Sequence, residues 1–219
     1  MLFYPKEKPL ETCSSENCDD CKVQKKINCH FNLMQLIHFC SISIPSFIIG
    51  AVGLFRYNLW VFIIWILIIV GFFVFLEIRV MCSHCPHYAE NCKSLKCWAN
   101  YSIPKLWKYN PGPMNFAEKV LFLGGFVLVW GIPLIALIVD LQILLWIIYV
   151  LTTVGFFMTL QLCFCSICMN FACPLNRVKE EERDMFFAKN PDIAKAWGKS
   201  DLITKTKTTE KTEKSDTEK

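Results

Sequence analysis

Charge is missing from four long stretches of this chain. Tyr57–Leu76 runs 20 residues without Asp, Glu, Lys or Arg, and Val120–Val139 runs another 20. From Leu141 the chain is uncharged through Phe164 and on to Asn176, and Asn32–Phe55 is uncharged over 24 residues. At about 1.5 Å of rise per residue, 20 helical residues cover roughly 30 Å, the thickness of a bilayer's hydrocarbon core. The composition agrees: 54% of residues are hydrophobic, 14% are aromatic and the mean hydropathy is +0.37, which favours a membrane protein over a soluble domain. Asn32–Phe55 is more polar, with Ser41, Ser43, Pro45 and Ser46. Proline is tolerated in a span where neighbours satisfy the carbonyl it frees. Four spans are predicted.

Other absences narrow the function. No ionisable residue falls near the centre of a span; Glu77 and Arg79 sit at the end of the second. Ion pumps and proton relays place such groups at mid-membrane, so a transporter or channel is disfavoured. His38 is the only histidine within a span, which leaves a haem between helices without a second axial ligand. No phosphate-binding loop, nucleophile elbow or metalloprotease motif occurs. The start, Met1–Lys8, has no apolar stretch long enough for a signal peptide, so insertion is expected to rely on the spans.

Basic residues lie almost wholly on one side. Of the 23 Lys and Arg, only Arg56 falls between the first and second spans or the third and fourth. The positive-inside rule therefore places both termini and the central loop in the cytoplasm, giving a multi-pass cell-membrane protein. The net charge of +4 reflects flanks that anchor spans to anionic headgroups, so the lipid bilayer is the first expected partner. The interleaved acids Glu180, Glu181, Glu182 and Asp184 argue against a nucleic-acid surface.

Within this frame the chain repeats a phrase. Val70-Gly71-Phe72-Phe73, Leu76 and Cys82-Ser83-x-Cys85 reappear as Val154-Gly155-Phe156-Phe157, Leu160 and Cys165-Ser166-x-Cys168, with a one-residue gap. Two crossings return the chain to its starting side, so the repeat predicts two parallel helical hairpins related by a pseudo-two-fold axis along the membrane normal. Gly71 and Gly155, at matching depths, are candidates for close helix approach. The expected fold class is all-α: an integral membrane bundle of four transmembrane helices with cysteine-rich cytoplasmic loops. The expected organisation is a cysteine-containing leader over 1–31, a first hairpin over 32–81 and an interfacial loop over 82–118. A second hairpin over 119–164, a knuckle with short amphipathic helices over 165–198 and a disordered charged tail over 199–219 complete it. Asn190 as N-cap, Pro191 at the first position and Gly198 past the end mark one of those short helices. The sequon at Asn100 lies on the cytoplasmic side and is read as a chance match.

Thirteen cysteines are present, and twelve form three groups of four on the predicted cytoplasmic face. Cys40, in the first span, stands apart. Reduced cytoplasmic thiols in such groups more often hold metal or do redox work than form disulfides. Soft thiolates suit zinc or iron–sulfur clusters, and spacing alone does not separate the two. In one arrangement the repeated pairs Cys82, Cys85, Cys165 and Cys168 share a site on the axis, and the repeat itself singles these four out. In the other, each group makes its own site, which adds Cys92 and Cys97 centrally and Cys163 and Cys173 at the end. The leader contributes Cys13, Cys18, Cys21 and Cys29, whose first three have the spacing that opens a plant-type ferredoxin ligand set, although the fourth follows too soon. His84 and His87 flank the central pair as substitute ligands.

The reading is a multi-pass membrane protein with cysteine-ligated iron–sulfur or zinc sites at its cytoplasmic face. It would act as a redox or electron-transfer accessory subunit with a membrane or cytoplasmic partner protein, or as an assembly scaffold. A membrane thiol–disulfide oxidoreductase using its Cys-x-x-Cys pairs, and a purely structural protein, are the alternatives.

Overall fold

A computed structural model describes residues 10–15, 18, 21–24 and 26–204. The start of the chain through residue 9 and the charged tail from 205 onward lie outside the described residues. Four helices are long and apolar enough to cross a membrane: Leu33–Tyr57, Leu59–His84, Phe116–Val139 and Ile143–Phe164. The first is α1 (Leu33–Tyr57). The second comprises α2 (Leu59–Val70), a π-helical segment Gly71–Leu76 and α3 (Glu77–Val80), and closes in a 3-10 turn at Cys82–His84. A short hairpin pairs β1 (Ser94–Lys96) antiparallel with β2 (Tyr101–Pro104). The third span is α4 (Phe116–Val139), and the fourth is α5 (Ile143–Thr159) with a π-helical end at Leu160–Phe164. Two short helices follow, α6 (Glu180–Lys189) and α7 (Pro191–Ala196).

Polar residues fix where each span begins. Asn32 caps α1 by accepting the Met34 N–H. Asn58 is the single residue between α1 and α2: its N–H donates to Leu54, and its side chain accepts from Trp60 and Val61 at 2.8 and 3.3 Å. Asn115 and Glu118 form a reciprocal capping box at the start of α4. At the turn between α4 and α5 Leu141 adopts a positive φ of 52°, and the neighbouring Gln142 donates to the Gly53 carbonyl near the end of α1 at 3.2 Å, tying the two inter-helix turns together.

The core lies between α1 and α4, which pack on each other and on both remaining spans. Glycine permits this at Gly53, where a Cβ would overlap Leu137, and at Gly125, where it would overlap the Phe72 ring. The sequence pointed instead to Gly71 and Gly155. A Cβ at either would meet nothing within 4 Å, so these two glycines do not mediate close packing in the described chain. Pro133, inside α4, has no N–H for the Val129 carbonyl one turn earlier, and the Trp65 indole donates to that carbonyl at 2.8 Å. Tyr149 donates to the next carbonyl, that of Trp130, at 2.9 Å. Large apolar side chains on the outside, such as Trp60 at 73% and Leu144 at 72% exposed, suit a lipid surround.

The polar end of the bundle is folded too. The leader packs Leu10, Val23 and Ile27 against Phe171, Phe186 and Phe187, forming a second small core. Asn28 donates to the Ile167 carbonyl and Ser14 to the Lys189 carbonyl, both at 2.8 Å. Asn190 precedes α7 as expected, but its side chain donates back to Phe186 and accepts from Thr12 instead of capping α7. Gly198 has the positive φ, 67°, that its position past the helix suggested. The tail does not become irregular at 199: residues 200–204 are helical, and Leu202 and Ile203 pack on the second core.

Candidate functional site

Both π-helical segments end close to a Cys-x-x-Cys pair. A π turn inserts one residue into the helical register and re-aims the side chains that follow. The first is followed by Glu77, Cys82 and Cys85, all buried, and the second by the buried Cys165. Asn170 then links the two knuckles by donating to the Met81 carbonyl at 3.1 Å.

Between the knuckles lies a chamber of about 400 Å³ that reaches down among all four spans. Six thiols line it: Cys82 and Cys85 from the first knuckle, Cys97 from the end of β1, and Cys165, Cys168 and Cys173 from the second. Thus both repeated pairs reach one chamber, and each is joined by one cysteine from outside the repeat. Cys92 is elsewhere; its thiol donates to the Ser94 carbonyl at 3.0 Å and accepts from Lys105 at 3.5 Å. Cys163 is exposed on the outer surface of the π segment, and Cys40 is half-buried in α1.

Four of the six thiols share a local geometry. Nearby peptide N–H groups partly offset the burial that raises each thiol: that of His87 at Cys85, those of Ala99, Asn100 and Trp98 at Cys97, that of Asn170 at Cys168, and those of Leu175 and Asn176 at Cys173. In each case one such group belongs to the residue two positions ahead. Such N–H groups stabilise a thiolate and are the outer-shell contacts that tune a thiolate-bound metal. Cys82 instead accepts from the Asn100 side chain at 3.3 Å, and Cys165 from Gln161 at 3.8 Å.

Burial disfavours the ionised form of the same thiols. Burial pushes Cys168 well above the ordinary 9.0, and the neighbouring Cys85 and Cys97 add to the shift. Burial and Cys97 do the same to Cys85. Cys173 is raised to about 12, chiefly by burial, and Cys165 to about 11, burial outweighing the opposing charge of Arg177. A sulfur with its pKa so placed is a poor nucleophile at neutral pH.

Other polar groups complete the walls. Asn100 donates from one amide nitrogen to Glu77 and to Cys82, each at 3.3 Å. His87 lines the chamber and pairs with Glu90 at 3.1 Å. His84 does not line it: Nδ1 donates to the Gly112 carbonyl at 2.7 Å, and Nε2 lies 3.4 Å from Glu118, so this side chain pins the loop to α4. Neither Glu77 nor Asn170 was legible in the sequence as part of a site. Glu77 follows Leu76 of the repeat and Asn170 lies two residues past Cys168, but neither position is matched in the other copy of the repeat, where Gln161 and His87 stand.

A second thiol group forms in the leader, where Cys13, Cys18, Cys21 and Cys29 line one cavity of about 10 Å³ beneath Phe186. Cys29 is raised to about 12 by burial and by the three others. Among the described residues, neither here nor in the chamber do three His, Cys, Asp or Glu side chains converge closely enough to hold a single ion. A tetrahedral zinc site draws its sulfurs to about 2.3 Å from one point. The chamber thiols instead surround a volume. No protein-family model, curated protein or solved structure matches this chain.

Proposed function

We propose that this chain is a multi-pass membrane protein whose chamber holds an iron–sulfur cluster on Cys85, Cys97, Cys168 and Cys173, and that it serves as an electron-transfer subunit. The observation that carries this reading is the gathering of thiols from both knuckles around one chamber, and the four chosen are those whose raised pKa is eased by nearby peptide N–H groups. A cluster places iron and inorganic sulfide between its ligands, so it suits thiols spread around a volume better than one zinc ion does. Such a cluster would supply one-electron chemistry, at a potential set partly by hydrogen bonds to its sulfurs and by burial. Cys82 and Cys165, with side-chain donors only, flank the set.

Orientation in this proposal follows the basic residues, which put the knuckles and both termini in the cytoplasm beside a soluble or membrane redox partner. The repeated phrase supports a bundle made of two like hairpins, with one knuckle from each. The raised thiol pKa values count against a thiol–disulfide oxidoreductase, which needs an accessible thiolate.

The test is anaerobic purification followed by metal, acid-labile sulfide and visible-spectrum analysis. Iron and sulfide in equal amounts, with visible absorption bleached by reductant, are expected. Stoichiometric colourless zinc would replace the electron carrier with a scaffold, and metal-free protein would end the metal reading altogether.

A further inference from the structure

The chamber is larger than its thiols. Phe73 precedes Cys82 by nine residues, roughly 13 Å of helix at 1.5 Å per residue, and both side chains line the same space. Below the sulfurs the walls are aromatic: Phe39, Phe47, Phe73, Phe126, Trp130 and Phe156. Trp130 and Phe156 stack at 5.7 Å with 10° between their planes, and Trp130 stacks on Phe126 at 4.9 Å. A concave, mostly apolar space of this size with a few convergent polar atoms is the usual form of a small-molecule site.

Two of its lining residues carry a buried polar atom without a partner among the described residues. Glu77 Oε2 and Asn170 Oδ1 are buried and lack a hydrogen bond among the described residues, and both side chains line the chamber. Each residue is only 5% exposed. Leaving such an atom unpaired costs about 1–3 kcal/mol, more when it is charged. The other half of each side chain is engaged: Asn100 donates to Glu77 Oε1, and Asn170 Nδ2 donates to Met81. The free atoms are therefore aimed by their own anchors.

We infer that the chamber binds a flat, lipid-soluble ring carrying hydroxyl donors, of the hydroquinone class, with its hydroxyls on Glu77 and Asn170 and its ring between the aromatic walls. Asn170 Oδ1 is an acceptor only and requires a donor. A hydroxyl can also accept, so it satisfies Glu77 in either protonation state, whereas a quinone carbonyl satisfies neither Asn170 nor an ionised Glu77. The ligand's walls come from membrane spans, which fits a ligand dissolved in lipid. The inference rests on the chamber and its two oxygens and does not require the metal.

The test uses the full chain in phosphatidylcholine nanodiscs, kept anaerobic, with empty nanodiscs as the partition blank. Calorimetric titration compares 1,4-dihydroxynaphthalene with 1,4-dimethoxynaphthalene, which has the same ring and no donor. Saturable binding of the dihydroxy ligand, about tenfold or more tighter than the dimethoxy ligand, is expected for the loss of donor contacts to buried oxygens. Glu77→Gln keeps an oxygen for Asn100 and turns an NH₂ toward the chamber, so it should erase most of that preference. Ser43→Phe, which adds a ring to the lining at a buried position, should abolish binding while iron content stays unchanged. Equal affinity for the two ligands, or no saturable binding by iron-loaded protein, would overturn the inference and leave the metal reading standing. Selective binding by protein that holds no iron would do the reverse.

Discussion

The indole N–H of Trp65 donates to the carbonyl of Val129, 2.8 Å away on another span. Val129 is the residue whose helical partner Pro133 removes, so the second span supplies from its side chain what the third cannot supply from its backbone. Both groups are buried, Trp65 at 2% and Val129 at 0% exposure, and no water competes for the bond.

Trp65→Phe should therefore destabilise the protein by about 1–3 kcal/mol, the cost of an orphaned buried carbonyl. Pro133→Ala restores an N–H to α4, and in that background Trp65→Phe should cost markedly less. Denaturant unfolding of the four members of the cycle in mixed micelles checks this; additive effects would mean the indole is only packing.

Glycine substitutions separate two expectations. Gly125→Ala forces a Cβ into the Phe72 ring and should cost about 1–3 kcal/mol, as overpacking does. Gly155→Ala meets open space and should lie within about 0.5 kcal/mol of the parent. Thermal unfolding of the two variants side by side decides between them, and the reverse order would restore the repeat glycines as the packing contacts.

The leader should show an alkaline limit in the reduced, metal-free protein. An ordinary thiol loses its proton near 9.0, whereas folded Cys29 keeps it to about 12. Across that window the unfolded chain binds fewer protons than the folded one. Stability is complete below 9.0 and falls toward 12, by about 1.4 kcal/mol per pH unit for this group. Hydrogen exchange of the Asn28 amide, which donates to Ile167, reads the effect. Cys29→Ser should flatten the profile, and an unchanged profile would assign it to another group.

Serine scanning tests the proposed ligands. Cys85→Ser, Cys97→Ser, Cys168→Ser and Cys173→Ser should each lose most of the iron and visible absorbance. Cys92→Ser and Cys163→Ser should keep both, because neither thiol lines the chamber. Retention of iron by Cys97→Ser would shift the site back to the repeated pairs alone.

The spans were readable because hydrocarbon imposes a length and forbids charge, and both constraints are written in residue types. The second span still exceeds its uncharged run. It continues through Glu77 to His84, since Glu77 is turned inward and hydrogen-bonded by Asn100. The π segments had no such signature: Gly71-Phe72-Phe73 is as apolar as any stretch of ordinary helix, and the change of register follows from packing. Cys97 was a candidate for a separate central site, but its meeting with the second knuckle was hidden, because a hairpin of three- and four-residue strands carries it to the chamber. The repeat gave Cys82 and Cys165 equal weight. Cys82 follows a break in the helix at Met81 whereas Cys165 directly follows a π segment, and the two sulfurs have different donors.

The Asn170 bridge to Met81 implies an order of events during biosynthesis. Cys85 and Cys97 are translated more than 60 residues before Cys168 and Cys173, and the third and fourth spans lie between the two pairs. A nascent chain that has inserted only its first two spans would present half of the chamber's thiols, with Met81 waiting for an amide not yet made. On the proposed ligand set, cofactor loading would therefore be a late maturation step, and a ribosome stalled before residue 170 would leave a protein inserted yet incapable of being completed.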